Sequence, residues 1–424
     1  MSKGLIILNM ISRRAFIKSS GLALFGVGIG GVPSFVTRAV AQAKNISPYQ
    51  KNKILVCIFQ RGAMDGLMAV TPFTDPYLKA ARPTLFMDAT NNGALIDLDG
   101  KFGLHPGLQS FQKLFQEKKL AIVHGMGSPN NTRSHFDAQD YMESGTPFRK
   151  GTSSGWLNRA VGLLGHEASP FRAVSLTSSL PRSFYGDNPT IAINNLNDFA
   201  IQVKGSNGNM AALSFEELYD QTSSELLKET GKESFDAIKM LQKTDIKNYK
   251  PSQEAKYPTS SFGGSLKQIA QLIKMDVGLE VAFAESGGWD THFNQGTGKG
   301  VFFRNAQDLS NSIAAFWNDL GLLQDNVTLM TMTEFGRTVK QNGTGGTDHG
   351  RASCMFILGN NVQGGKVHGN VQPLAPENLE DGRDLAVTTD FRSIFSEVAD
   401  KHLQLQNDKI LFPEWTGNKI GVMR

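Results

Sequence analysis

The sequence contains few of the residues that would assign it to several large classes of protein. Only two of its 424 residues are cysteines, Cys57 and Cys354, so the chain is not a disulfide-stabilised scaffold. Both lie in apolar segments, which favours two buried thiols over one disulfide bond. The chain has no run of lysine and arginine interleaved with aromatic residues and no internal repeat. These absences argue against a nucleic-acid-binding surface and against a repeat architecture.

The one long apolar stretch lies near the N-terminus and belongs to a predicted export signal. Residues 12–18 read Ser-Arg-Arg-Ala-Phe-Ile-Lys, a twin-arginine pattern, and residues 21–36 are apolar and rich in glycine. Residues 39–41, Ala-Val-Ala, offer a signal-peptidase site. We therefore expect residues 1–41 to be a signal peptide for the twin-arginine export machinery, with the mature protein in the periplasm or secreted and free of the membrane. An uncleaved anchor is the alternative, but the run is short and interrupted by Pro33.

The net charge of the precursor comes from this leader. Residues 1–41 hold five of the 43 basic residues and no acidic residue, so 38 basic residues face 39 acidic ones in the remainder. The mature chain would carry a net charge near −1. A charge this close to neutral gives no reason to expect a nucleic-acid partner.

The remaining residues predict one large α/β domain. Residues 42–53 are a polar, flexible lead-in, and residues 54–424 alternate buried strands with amphipathic helices. A continuous apolar strand at 54–59 and a second buried strand at 120–124 are typical of a doubly wound, mostly parallel sheet with helices on both faces. The segment from 206 to 261 is charged and helical in pattern, and we interpret it as an insertion or cap.

Side chains that bind metals collect next to these predicted strands. In an open α/β sheet, ligands bind outside the carboxyl ends of the strands. Four of these residues follow a strand and two precede one in a glycine-rich loop: Asp65, Asp290, His292 and Glu334, then Asp348 and His349. Carboxylates and imidazoles are common ligands of divalent ions, so the pattern predicts a site for one or two ions, zinc, manganese or calcium, at one edge of the sheet.

The two Asp/His pairs support this interpretation through their spacing. Asp290 and His292 alternate around Thr291, so in an extended segment both would face one ion. Asp348 and His349 are adjacent, and a glycine-rich loop could turn them toward two ions. The alternatives are a turn in which Asp290 caps backbone amides and a solvent-exposed loop around His349.

Six candidate residues have strong structural alternatives. Glu334 and Arg337 could form an ion pair at a helix start, while Arg337 could instead bind an anionic substrate group. Asp65 precedes Gly66 and could be an ordinary turn residue. Arg61, Arg159 and Arg182 could line a cleft, although for each a surface or structural ion pair is the favoured interpretation.

A second polar cluster covers residues 132–140. Ser134 and Asp137 have the spacing of a helix capping box. A serine at a helix N-terminus could also attack a phosphoryl or sulfuryl centre, because the backbone amides there stabilise an anion. Thr132 is a competing nucleophile, and Arg133 or His135 could contact the anion or ligate a metal.

From about residue 54 to residue 415 the chain resembles the bacterial domain-of-unknown-function 1501 family. The resemblance rests on six motifs in one order, at residues 61–66, 128–140, 287–292, 333–338, 346–350 and 382–392. They include Gly-Gly-Trp-Asp-Thr-His, Thr-Glu-Phe-Gly-Arg-Thr and Gly-Thr-Asp-His-Gly. That family is more distantly similar to the alkaline phosphatase and sulfatase superfamily, which implies an α/β fold with a metal site at the strand ends.

The superfamily resemblance implies roles for particular residues. Asp65 resembles the first metal-binding Asp, Ser134 or Thr132 the nucleophile, Asp290 and His292 a later ligand pair, and His349 a last imidazole. The sequence departs from the pattern at Glu334-Phe335, where superfamily members commonly have Asp-His. Phe335 cannot ligate a metal, so either Asp348 and His349 take over or one of two metal positions is lost.

The resemblance implies an exported metal-dependent hydrolase acting on a small anionic substrate, a phosphate or sulfate ester. The alternative is a non-catalytic periplasmic binding or assembly protein with a degenerate site. The sequence leaves the oligomeric state open.

Overall fold

The computed structural model describes residues 22–24, 52–89, 94–165, 169–196 and 249–424. Within them, thirteen strands are Leu22–Leu24 (β1), Ile54–Gln60 (β2), Val70–Pro72 (β3), Ile96–Asp97 (β4), Phe102–Leu104 (β5), Leu120–Gly127 (β6), Ala173–Ser175 (β7), Ile191–Ile193 (β8), Val281–Ser286 (β9), Val327–Met332 (β10), Ser353–Leu358 (β11), Val367–His368 (β12) and Thr389–Asp390 (β13). Nine α-helices are Gly66–Ala69 (α1), Pro76–Ala81 (α2), Ser110–Gln116 (α3), His135–Ser144 (α4), Trp156–Leu163 (α5), Ser261–Lys274 (α6), Val301–Leu320 (α7), Phe391–Leu403 (α8) and Asp408–Leu411 (α9). In these described segments no helix has both the length and the apolarity needed to cross a bilayer.

Ten strands form one mixed, mostly parallel sheet. Their order is β1-β8-β7-β9-β2-β10-β11-β6-β12, and β13 also pairs with β6. The run from β8 to β10 is parallel throughout, whereas β11 is antiparallel to both of its neighbours. Strands β3, β5 and β4 form a small separate sheet. The predicted fold class is confirmed.

The central strands are apolar because helices cover both faces of the sheet. In β2 every residue is buried, and alternate side chains belong to two different cores. Val56 and Ile58 join the core beneath α3, α6 and α7, whereas Leu55 and Phe59 join the core beneath α5 and α8. A strand with two buried faces has no polar side to display, which explains its continuous apolar run.

Most sequence-predicted elements are present, with shifts at their ends. The residue patterns at 108–117 and 302–323 predict helices, and these segments form α3, which follows a 3₁₀ turn, and α7. Asp390, whose place before the helical pattern predicts an N-cap, caps α8 by accepting a hydrogen bond from the amide of Arg392. The signal peptide, the lead-in up to residue 51 and residues 206–248 of the predicted insertion lie outside the described residues, apart from strand β1. Residues 249–260 of that insertion are described and are not helical.

Both cysteines are buried free thiols, as the sequence predicts. Cys57 lies in β2 and Cys354 in β11, and their side chains belong to the cores on opposite faces of the sheet. Burial raises the pKa of both thiols, so neither is a reactive thiolate.

The antiparallel direction of β11 decides where the functional residues meet. Strands β2, β9 and β10 run parallel, so their carboxyl ends lie at one edge of the sheet. Because β11 runs the other way, its start lies at that same edge. The loop that carries Asp348 and His349 into β11 therefore meets the loops that leave the three parallel strands.

Candidate metal centre

The loops at this edge are held together by close backbone contacts. The amide of Trp289 donates to the carbonyl of Arg61, and the amide of Thr347 donates to the carbonyl of Thr291. A Cβ atom at Gly346 would lie 2.3 Å from the carbonyl carbon of His292, so only glycine allows these two loops to approach this closely. The glycines that flank the motifs thus serve the packing of one loop on another.

Three histidines and one aspartate converge where the loops meet. The ligand atoms of His135, Asp290 and His349 all lie within 4.8 Å of one another. His292 Nε2 lies 3.1 Å from Asp290 Oδ1 and 2.8 Å from His349 Nε2. As the sequence spacing predicts, Asp290 and His292 face the same point, while Thr291 between them is buried on the other side.

Each imidazole is oriented by an oxygen acceptor at its Nδ1 atom. The three Nδ1 distances are 2.9 Å each: His135 to Glu334 Oε1, His292 to Asp348 Oδ1, and His349 to the carbonyl oxygen of Arg133. Because carboxylates and carbonyls only accept, every Nδ1 carries the proton, and every neutral ring presents an unprotonated Nε2. Carboxylate–histidine pairs of this kind orient metal ligands in proteins.

The Nε2 atoms have acceptor character and too few protein donors. His135 Nε2 is buried and has no hydrogen-bond partner among the described residues. The Nε2 atoms of His292 and His349 face each other at 2.8 Å, an arrangement that needs either a proton or a cation to offset two lone pairs. Three imidazole nitrogens and one carboxylate oxygen are a donor set that divalent transition metals accept, so the residues fit a metal ion.

Glu334 supports the cluster from beneath. It is fully buried, and its Oε1 atom accepts hydrogen bonds of 2.9 Å from the Gly62 amide, Gln139 Nε2 and His135 Nδ1. Burial alone would raise the pKa of this carboxyl, but the bonds from His135 and Gln139 hold the pKa below its usual range. The bond to Glu334 in turn raises the pKa of His135. The structure thus places Glu334 behind a histidine, with Oε1 used by three donors.

Arg337 is a buried side chain that hydrogen-bonds to several of the loops at this edge. Its guanidinium donates to the carbonyls of Ala63 at 2.8 Å, Trp289 at 3.0 Å and Thr347 at 3.1 Å, and to Asp290 Oδ1 at 2.6 Å. Burial would raise the pKa of Asp290, but the Arg337 bond outweighs it and lowers that pKa. The side chain is fully buried, so it does not face a cleft as an anion-binding group would.

Asp65 lies apart from the cluster, in a buried ion pair. Its two oxygens accept from Arg82 at 2.8 and 3.1 Å, and its Oδ2 also accepts from Gln295 at 2.7 Å. It caps α1 by accepting from the Met68 amide. Asp65 is therefore both a turn residue and half of a salt bridge.

Gln295, which the sequence did not single out, connects these parts. Its side chain is fully buried, donates to Asp65, and accepts from the hydroxyls of Thr291 and Thr347 at 2.8 Å each. Thr291 precedes His292 and Thr347 precedes Asp348, so one amide ties together the two loops that carry three of the four cluster groups. A buried glutamine lacks a sequence signal of its own.

Phe335 forms an apolar wall of the centre. Its ring lies 5.0 Å from the ring of His135 and 5.0 Å from that of His349, and it packs with Ala63 and Ala138. The side of the cluster occupied by Phe335 offers no ligand atom. Asp348 does not fill that position, because it accepts from His292 Nδ1.

Residues 132–134 border the cluster at the start of α4. Ser134 occupies the N-cap position, but its hydroxyl makes no capping hydrogen bond, so the predicted capping box does not form. Thr132 Oγ1 accepts from the Ser134 amide. The Arg133 guanidinium is directed to Asp384 and Asp381, at 2.5 and 2.7 Å.

The three further arginines are structural. Arg61 pairs with Glu143 and Glu285, Arg182 pairs with Asp140, and Arg159 donates to backbone carbonyls including Leu411. Burial lowers the pKa of Arg159 to about 10.

Comparison with known protein families assigns most of the chain to one family. A family model described as "Protein of unknown function (DUF1501)" matches residues 52–411, which is most of the chain. The chain belongs to this family. Among curated proteins, none matches the sequence.

Several solved structures align with the chain at low identity. The C-terminal periplasmic domain of EcEptC from Escherichia coli, in complex with Zn, is 9% identical, covers 73% of this chain and 73% of its own, and has a TM-score of 0.34. The PsFucS1 sulfatase from Pseudoalteromonas sp. is 11% identical, with 92% and 74% covered and a TM-score of 0.34. The lipoteichoic acid synthase LtaP from Listeria monocytogenes is 9% identical, with 97% and 80% covered and a TM-score of 0.31. The likeness concerns the fold alone.

Proposed function

We propose that this chain is an exported metal-dependent hydrolase of phosphate or sulfate esters. One observation carries the proposal: the Nε2 atoms of His135, His292 and His349 converge on Asp290 Oδ1, while each Nδ1 is fixed by an acceptor. An arrangement with this many supporting contacts exceeds what the fold alone requires. It matches a preorganised ligand set.

The donor set favours zinc or manganese over calcium. Three imidazole nitrogens are borderline donors, whereas calcium takes six to eight oxygens. When bound, such an ion would polarise an ester oxygen and offset the negative charge that develops there. The carboxylates of Glu334 and Asp348 keep His135 and His292 in the tautomer that presents Nε2.

Ser134 is the proposed nucleophile, with Thr132 as the alternative. Ser134 directly precedes His135 in the chain, and its hydroxyl is not used as a helix cap. Ten-residue helix α4 begins directly after it, so the amides of the first turn face any anion bound there. Phe335 excludes water from the side of the cluster that it covers.

A binding or assembly protein with a degenerate site is the second candidate. Phe335 and the Asp65–Arg82 pair favour it, because two groups that a two-metal centre would use are unavailable. If the chain is an enzyme, it works with one ion. Export through the twin-arginine machinery remains part of the proposal, and it suits a protein whose metal is bound before translocation.

Metal analysis of the purified mature protein tests the proposal. We expect about one equivalent of zinc or manganese, lost in a variant with Asp290→Ala and His349→Ala but retained in His368→Ala, a histidine of β12 outside the cluster. A folded wild type that holds no metal would overturn the enzyme proposal. A metal-loaded protein should then hydrolyse aryl sulfate or phosphate esters, with Ser134→Ala inactive; a fully active Ser134→Ala variant would exclude that nucleophile.

A further inference from the structure

Resting on the proposed function, we infer that the site accepts an ester whose reacting group carries one negative charge, such as a sulfate monoester or a phosphate diester. A doubly charged phosphate monoester is disfavoured. The inference comes from the balance of fixed charges around the cluster.

A single divalent ion uses up its charge within the centre. Asp290 is already paired with the Arg337 guanidinium. Glu334 and Asp348 have imidazoles as their salt-bridge partners, so their two negative charges are those that one divalent ion would offset. With Phe335 on the wall and Asp65 paired with Arg82, the described residues offer no place for a second ion beside the first.

The arginines around the centre supply no spare positive charge. Arg61 contacts the carboxylates of both Glu143 and Glu285, which leaves that group with a net charge of −1. On the other side, two guanidinium groups share two carboxylates: Arg133 and Arg383 with Asp381 and Asp384. With one divalent ion bound, the surroundings are neutral to negative.

The second charge of a phosphate monoester would therefore meet no unpaired cation among these groups. In a partly buried site, solvent screens electrostatic interactions only weakly, so an uncompensated charge on the ligand lowers its affinity strongly. A sulfate monoester or a phosphate diester presents the same tetrahedral oxygens with one charge less.

Binding of non-hydrolysable anions to the metal-loaded protein tests the inference without turnover. The probes are benzenesulfonate and monomethyl phenylphosphonate, which carry one charge, and phenylphosphonate at a pH where it carries two. In calorimetric titrations we expect the singly charged probes to bind at least about tenfold more tightly than the dianion. Equal or tighter binding of the dianion would overturn the inference.

A pair of charge variants separates the protein's contribution from the intrinsic preference of the metal. Asp381→Asn removes the charge of an exposed carboxylate that pairs with Arg133. Glu414→Gln makes the same change in the exposed pair with Arg149, which lies beyond the other end of α4. We expect Asp381→Asn to reduce the ratio between the Kd of the dianion and the Kd of the singly charged probes by about two- to fivefold. Glu414→Gln should leave this ratio unchanged.

If the Kd ratio is the same in both variants, the carboxylates around the centre do not set the preference for singly charged anions. Failure of the proposed function looks different: the wild type would contain no metal, or, once loaded, would bind none of the three anions.

Discussion

Replacing Glu334 by glutamine should weaken metal binding while preserving the fold. Glu334 is fully buried and holds His135 by a 2.9 Å bond to Nδ1. Glutamine keeps the shape and one acceptor oxygen but removes the charge that orients the imidazole. Loss of a carboxylate behind a metal-bound histidine typically lowers metal affinity by about 10- to 100-fold, or roughly 1.4–2.8 kcal/mol.

The lost metal affinity should also appear in stability, as a difference between wild type and variant that is larger in metal than in chelator. With free metal at 100 times the wild-type Kd, binding stabilises the wild type by about 2.7 kcal/mol, and the variant by only about 0.4–1.4 kcal/mol. Urea unfolding in metal and in chelator gives this difference directly. Competition with a chromophoric chelator gives the affinities independently.

Glu397→Gln is the matched control. Glu397 is also buried and also accepts three hydrogen bonds, from the amides of Ile420, Gly421 and Met423, far from the cluster. We expect it to lower stability equally in metal and in chelator and to leave metal affinity at the wild-type value. If Glu334→Gln binds metal like the wild type, or Glu397→Gln loses as much affinity, the proposed role of Glu334 is wrong.

Three further predictions concern the support of the centre and the fold. Gln295→Leu should weaken metal binding without removing a ligand, because Thr291 and Thr347 lose their shared acceptor; chelator competition measures it, and unchanged affinity would contradict the role. Arg82→Met should destabilise the protein by about 3–5 kcal/mol in urea unfolding, because it leaves Asp65 as a buried charge without its partner. Burial lowers the pKa of His402 from 6.5 to about 4, so the unfolded chain takes up its proton first as the pH falls. Stability present above pH 6.5 is then lost toward pH 4, by roughly 3 kcal/mol for this group, and His402→Gln should flatten that part of the stability–pH curve; an unchanged slope would contradict the assignment.

The sequence predicted the architecture because the burial of a strand is recorded along the chain. Residues 54–59 are continuously apolar and residues 327–332 contain only Val, Thr, Leu and Met; in the structure the two segments are adjacent central strands covered on both faces. The spacing of Asp290 and His292 was equally informative, because the alternation of an extended segment is a local property. The free state of Cys57 and Cys354 followed from their apolar surroundings.

The local sequence pattern could not predict which partner each charged side chain binds. Asp65 has the sequence context of a metal ligand, yet Arg82 and Gln295 bind it; Gln295 lies 230 positions away. Arg337 has the context of an anion-binding residue, but its donors are used by loop carbonyls and Asp290. Which of two chemically equivalent carboxylates becomes a ligand depends on contacts that the sequence does not record.

Hydrophobic pattern and glycine placement along the chain are enough to predict that ligand-type side chains gather where strands end. The role of each of these side chains depends on tertiary contacts. The antiparallel turn of β11 brought His349 to the edge shared by three parallel strands, and Phe335 closed one side of the resulting cluster. Local sequence fixes the direction of a side chain relative to its own strand, whereas the meeting of four loops depends on how the strands are ordered and oriented in the sheet.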